Sequence, residues 1–225
     1  MSPSQSAPPQ YADVIRTLLK RDFFAAAPVN VRKNAHIYNC GDHDQSIYVI
    51  ESGLIKTVMY AKDGKSCLLS IYGAGDIFGE LCLFSLERRE TAITMSASLV
   101  RRIPLASFRA TLANEDILEA FLKLLTLRLS EQQQIIANMV TMDSERRLAA
   151  ALLTLAKKLG KQHDTGISIE EKITQEELSV MVGTTRSRVG YFLKRFRAAG
   201  LVQRTPDCYL LINEQHMSRY LDSVF

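Results

Sequence analysis

The sequence predicts an α+β chain in three parts: an antiparallel β-roll, one long helix, and a smaller C-terminal helix–turn–helix closed by a β-hairpin. Three observations predict it. Apolar residues alternate with period two between about residues 35 and 105. They switch to a 3.5-residue repeat between about 115 and 140. A capped helix, a glycine turn and a second capped helix then follow between 173 and 202. A length of 225 residues with 47% hydrophobic and 23% charged side chains leaves room for one large domain or two small ones. It excludes a mostly disordered, collagenous or coiled-coil chain. No apolar run approaches the ~20 residues needed to span a bilayer. Residues 1–10, rich in Ser, Pro and Gln, lack the regions of a secretory signal and read as a flexible tail. The chain is expected in the cytoplasm, without membrane contact.

Residues 12–34 read as short helical segments anchored by Phe23 and Phe24. In the roll, Ile37, Tyr48, Ile50, Leu54, Val58, Leu68, Ile71, Ile77, Ile93, Leu99 and Ile103 sit in short β-like runs. Turn signals at Gly41-Asp42, Ser52-Gly53, Asp63-Gly64-Lys65 and Gly75-Asp76 separate them. Cys40, Cys67, Cys82 and Cys208 form no C-x-x-C pair; they read as free, mostly buried thiols, and no metal-ligand spacing is present.

From Glu115 to Val140 neither Pro nor Gly interrupts the pattern. Leu118, Leu122, Leu125, Leu129, Gln132, Ile136 and Met139 recur at heptad spacing, the seam of a helix that meets a second copy of itself. Gln132 is the polar residue in that seam. A second helix, Ser144 to Leu159, carries Leu148, Leu152, Leu155 and Leu159 on one face and ends at Gly160 by C-cap chemistry. Met142-Asp143-Ser144 reads as the hinge between them.

The stretch from Ile173 to Val202 carries the function. Thr174 with Glu177 makes a capping box. Leu178 and Val182 face inward, Gly183 turns, and Thr184 or Thr185 caps the next helix. Val189, Leu193 and Phe196 face the core, while Arg186, Ser187, Gly190, Tyr191 and Lys194 share the opposite face. Leu201–Arg204 and Cys208–Ile212 read as two strands joined by Thr205-Pro206-Asp207. This is a winged helix-turn-helix, whose second helix enters the major groove. Charge agrees: residues 1–144 are neutral, with 15 basic and 15 acidic side chains, whereas 145–204 carry 12 basic against 6 acidic, net +6. The DNA-binding candidates are Thr174, Gln175, Thr185, Arg186, Ser187, Arg188, Tyr191 and Lys194.

Taken in order, the pieces resemble the catabolite-activator/Fnr (CRP/FNR) family of bacterial transcription regulators over almost the whole chain. The resemblance rests on the roll glycines Gly41, Gly53, Gly64, Gly75 and Gly79, the cassette Phe78-Gly79-Glu80-Leu81 followed by Arg89-Glu90-Thr91-Ala92, and the winged helix-turn-helix. It implies an N-terminal double-stranded β-helix of cyclic-nucleotide-binding type over 11–114. A dimerisation helix and hinge over 115–143 and a DNA-binding domain over 144–225 follow. It further implies a symmetric homodimer on a two-fold related operator, with RNA polymerase as a further partner.

In nucleotide-binding relatives a Glu at the position of Glu80 accepts from the ribose hydroxyl, and an Arg then a Ser or Thr hold the cyclic phosphate. The effector-pocket candidates are Gly79, Glu80, Leu81, Arg88, Arg89, Glu90, Thr91, Gln132 and Gln133. Thr91 matches, but Glu90 stands where the Arg belongs, Cys82 replaces a glycine, and Gln132 and Gln133 replace the Thr and Ser that contact the base. A carboxylate facing a phosphate opposes binding, unless Arg88 or Arg89 substitutes. Three readings stay open: a small nucleotide or other anionic effector different from cAMP, a dimer competent without ligand, or DNA binding inhibited by a ligand. The iron–sulfur type lacks its N-terminal cysteines, and His36 and His43 are the candidates for a haem ligand. In the recognition helix Arg186 keeps the first Arg of the family's Arg-Glu-x-x-x-Arg pattern, while Ser187 and Tyr191 depart from it. A cyclic-nucleotide-binding subunit without DNA function is the alternative from another class; no nucleophile–base set suggests an enzyme.

Overall fold

The computed structural model describes residues 27–204 and 209–222. They fall into two compact units that divide at residues 130 and 131. In the first, β1 (Val29–Val31), β8 (Ser98–Pro104), β3 (Ser46–Ser52) and β6 (Ile77–Phe78) form one antiparallel sheet. A second contains β2 (His36–Tyr38), β7 (Thr91–Thr94), β4 (Ile55–Tyr60) and β5 (Ser66–Tyr72). Strand β3 explains how the roll is filled. Its Tyr48 and Ile50 join one core with Tyr38, Ile55, Tyr72, Phe78, Ala92 and Val100. Its Ile47 and Val49 join another, with Phe108 of helix α1 (Leu105–Thr111) and Ile117, Phe121 and Leu124 of helix α2 (Glu115–Thr141). Alternating side chains therefore meet apolar partners on both faces, and five consecutive β3 residues are buried. Asp63-Gly64-Lys65 makes the β4–β5 hairpin, with Gly64 at φ 82°.

In the second unit, α3 (Ser144–Leu159) starts on Asp143, whose carboxylate accepts from the amides of Glu145 at 2.8 Å and Arg146 at 2.9 Å. Its Leu148, Leu152, Leu155 and Leu159 are buried. They pack in a unit with α4 (Gln175–Val182), α5 (Arg186–Ala198) and α6 (Glu214–Asp222). A four-stranded sheet accompanies them in the order β11 (Val202–Gln203), β12 (Leu210–Ile212), β10 (Gly166–Ile169), β9 (Lys161–His163).

Several expectations need correction. Val29–Val31 is a strand, because its β-branched residues pair with Val100 to Ser98 rather than continue a helix. Residues 27–28 and 32–34 are not helical either, while 11–26, Phe23 and Phe24 included, the tail at 1–10 and Cys208 lie outside the described residues. Cys82 is buried, but Cys40 and Cys67 are exposed. Gly160 ends α3 in an extended conformation, at φ −82°. Its glycine is required by space: a Cβ would lie 2.3 Å from the Ile167 methyl and 2.4 Å from the Ala156 carbonyl oxygen. The wing is wider than expected, since β9 and β10 add a second hairpin.

Candidate nucleic-acid interface and effector pocket

The helix–turn–helix is built by its caps. The Thr174 hydroxyl accepts from the Glu177 amide at 3.2 Å while the Glu177 carboxylate accepts from the Thr174 amide at 2.9 Å. Gly183 closes α4 in the left-handed region at φ 64°. Thr185, not Thr184, caps α5 and accepts from the Arg188 amide at 3.4 Å. Val189, Phe192, Leu193 and Phe196 turn that helix inward. Arg186, Ser187, Arg188, Tyr191 and Lys194 are all exposed, so the structure brings these five together on one solvent face. Thr174 and Thr185 are exposed at the two helix starts, and Gln175 is half-buried. A Cβ on Gly190 would lie 3.1 Å from the Gln175 side-chain oxygen, so this glycine admits the start of α4 close to α5.

Not every cation of this unit is available to a polyanion. Arg147 donates to the Val182 carbonyl at 2.8 Å and the Met142 carbonyl at 2.7 Å, satisfying helix-end acceptors. Arg146 donates to the Leu221 carbonyl at 2.7 Å, and Arg195 pairs with Glu145 at 2.6 Å. Charge counting missed these roles, which depend on partners distant in sequence.

The roll brings Gly79, Glu80, Arg88 and Glu90 of the pocket candidates into polar contacts beside the aromatic core, and leaves the others apart from them. Gly79 precedes a 3-10 turn, Glu80–Leu83. Glu80 is paired with Arg128 of α2 at 2.6 Å, and Arg128 also donates to the Ile77 carbonyl and lies 5.1 Å from the Tyr72 ring centre. Burial works against the Arg128 charge, yet Glu80 holds its pKa above the ordinary value. Arg88 is buried. It donates to the Gly79 carbonyl at 2.7 Å, to Asp44 at 2.7 Å and to the Ser46 carbonyl, and stacks 4.0 Å from the Tyr38 ring centre. Burial alone would raise the Asp44 carboxyl. Donors from Tyr48, at 2.6 Å, and Arg88 overcome it and hold Asp44 below the usual carboxylate range. Arg102 adds a second pair to Asp44 at 2.7 Å. Glu90 is buried and accepts from the Tyr38 hydroxyl at 2.9 Å. Thr91 is buried too, and its hydroxyl accepts from the Cys40 amide at 3.1 Å. Leu81 and Arg89 are exposed, and Gln132 and Gln133 are exposed further along α2, in the second unit. Sequence reasoning missed Arg128, Asp44 and Tyr38.

Burial pushes the Glu90 carboxyl up. The Tyr38 hydroxyl opposes this, the Glu80 charge adds to it, and the Arg88 and Arg128 guanidiniums do not reverse it. A carboxyl with a raised pKa in the folded state stabilises the fold below its unfolded pKa, and that stability is lost as pH rises through the folded value. Glu90→Gln keeps an acceptor for Tyr38 and removes the titration. Its melting temperature relative to the parent should therefore rise as pH increases above the ordinary glutamate range; a pH-independent difference would contradict the assignment.

Roll and helix–turn–helix together define a class: a sensor domain of cyclic-nucleotide-binding shape joined to a winged DNA-binding motif. Comparisons agree. The family model of the cyclic nucleotide-binding domain matches residues 28–115, and that of the Crp-like helix-turn-helix domain matches residues 146–220. The cAMP-activated global transcriptional regulator CRP of Salmonella typhimurium is 31% identical over 166 residues, 72% of this chain and 78% of that protein. The CRP-like cAMP-activated global transcriptional regulator of Mycobacterium tuberculosis is 29% identical over 195 residues, 85% of this chain and 87% of that protein. Among solved structures, a CooA mutant from Carboxydothermus hydrogenoformans has a TM-score of 0.73 at 23% identity, covering 92% of this chain and 95% of its own. The c-di-GMP responsive regulator CLP of Xanthomonas campestris has a TM-score of 0.67 at 21% identity, covering 89% and 98%. The likeness to these two is one of fold. The chain belongs to the CRP/FNR family of transcription regulators.

Proposed function

We propose that the protein binds DNA sequence-specifically as a homodimer on a two-fold related operator, and that its roll answers to a small effector other than cAMP or acts without one. The domains would be a sensor at 11–114, a dimerisation helix and hinge at 115–143, and a DNA-binding domain at 144–225. The carrying observation is the α5 face. Two capped helices present a face of exposed polar and basic side chains, Arg186 to Lys194, away from the core, the arrangement a recognition helix requires. Arg186, at the start of α5, is suited to bidentate contact with guanine. Arg186→Ala should weaken binding at the cognate base by about 1–3 kcal/mol and flatten sequence preference. A gel-shift titration on the natural promoter in which this change is silent would refute the recognition-helix assignment.

For the effector, the residues that would hold a cyclic nucleotide are already partnered: Glu80 by Arg128, Glu90 by Tyr38, and Arg88 by Asp44 and two carbonyls. At the position of the phosphate-binding Arg there is a buried carboxyl instead of a cation. A second reading, cAMP activation, is favoured by the names of the relatives. Calorimetric titration with cAMP, cGMP and c-di-GMP decides between them. Micromolar or tighter affinity for cAMP would overturn the first reading.

A further inference from the structure

Along α5 the centre of the exposed face is Ser187, Tyr191 and Lys194, opposite the buried Val189, Phe192, Leu193 and Phe196. Tyr191 is the one aromatic side chain there, and 60% of it is exposed. Its ring is nonetheless held. It meets Phe192 edge-on, with ring centres 5.9 Å apart at 61°, and the Arg195 guanidinium lies 6.0 Å from its centre. Arg195 is fixed in turn by Glu145, at the start of α3, through the 2.6 Å ion pair. Arg195 is thus tied back into the protein, and one of its neighbours is the exposed Tyr191 ring. A chain of three side chains, Glu145 to Arg195 to Tyr191, orients an apolar surface on the face that would enter the groove.

Among the groups displayed in the major groove, the apolar one is the C5-methyl of thymine. We propose that Tyr191 is a specificity-determining residue that reads a thymine through this methyl group, with Arg195 and Glu145 as its positioning residues. The inference rests on the DNA-binding reading above. Tyr191 stands five residues after Arg186, roughly 7.5 Å along the helix axis. The thymine therefore belongs within two or three base pairs of the guanine that Arg186 reads. Preorganisation matters because a free ring would lose rotamer freedom on contact, whereas this one is already restrained.

The test uses the full chain and a binding site selected from a random duplex pool. Each thymine of the selected site is replaced in turn by deoxyuridine, which removes the methyl and leaves pairing unchanged. One thymine per half-site should lose about fourfold in affinity on losing its methyl, the value of one buried methyl-sized group. Tyr191→Phe should keep this discrimination and Tyr191→Ala should abolish it. Glu145→Gln should shrink the ratio between the thymine and deoxyuridine sites, whatever the released Arg195 does to overall affinity, a signature that general weakening of the domain would not produce. No methyl-sensitive thymine, or sensitivity that survives in Tyr191→Ala, overturns the proposal. If a site is selected and Arg186→Ala flattens it, the DNA-binding reading stands and this inference alone falls. If no sequence is enriched, both fall.

Discussion

Replacing Arg88 by Ala should destabilise the roll by about 3 kcal/mol, the lower end for breaking a buried ion pair. The side chain of Arg88 is 2% exposed and that of Asp44 is 14% exposed. Removing the guanidinium leaves the Asp44 carboxylate in a poorly solvated place and leaves the Gly79 and Ser46 carbonyls without this donor. Arg102, still 2.7 Å from Asp44, keeps the loss from reaching the upper end. The stacking of Arg88 on Tyr38 would be lost as well. Asp44→Asn in the same background should recover part of the loss, because it removes the uncompensated charge. Arg88→Lys should fall between, since an ammonium keeps the charge but donates from one point and cannot span acceptors that Arg88 reaches from two nitrogens. The chain has no tryptophan, so hydrogen exchange at the Ser46–Ile50 amides of β3 is the better readout of roll opening. A change below about 0.5 kcal/mol, the range of neutral surface substitutions, would show that the network does not hold the roll.

That network shows where a linear reading stops. Glu90 was legible as a carboxyl in a position that calls for an arginine, and the expectation was repulsion of a phosphate. Its fate, burial under a Tyr38 hydroxyl 52 residues away, was not. Arg88 reaches Asp44 across 44 residues and Arg128 reaches Glu80 across 48. Such pairings join loops, a 3-10 turn and a helix that only the tertiary fold brings together, which no local pattern encodes. By contrast, the Thr174–Glu177 box is local, three residues apart, and the structure makes both of its hydrogen bonds. Strand β9 escaped for a related reason. Lys161, Gln162 and His163 are all exposed and show no apolar alternation, so only their pairing with β10 makes them a strand. Helix α6 has one buried side chain, Met217, too few for a periodic signal, although Asn213 caps it through the His216 amide at 3.0 Å.

The seam of α2 carries the other large expected effect. The helix has two apolar stripes. Ile117, Ala120, Phe121 and Leu124 are buried against the roll. Leu118, Leu122, Leu129, Ile136 and Met139 are 39%, 53%, 60%, 64% and 40% exposed, and Leu125 is half-buried at the border of the roll core. A heptad stripe of exposed leucines on a 27-residue helix is expensive to leave in water, at about 1.5–3 kcal/mol for each such side chain buried instead. In the proposed homodimer a second copy of the same helix would cover it by knobs-into-holes packing, with Gln132 setting the register. Leu122→Asp with Leu129→Asp should therefore give a monomer at micromolar concentration in sedimentation. Both side chains face away from the roll core, so the variant should stay folded, with a lower melting temperature that no longer depends on protein concentration. Operator affinity should fall by about a hundredfold or more, because each half-site then binds without the effective concentration supplied by its linked twin. A single half-site should be bound equally by parent and variant at matched subunit concentration. If the parent is itself monomeric, or the double variant remains a dimer, the seam is not the interface, and the spacing of recognition helices near ~34 Å must be set by other surfaces.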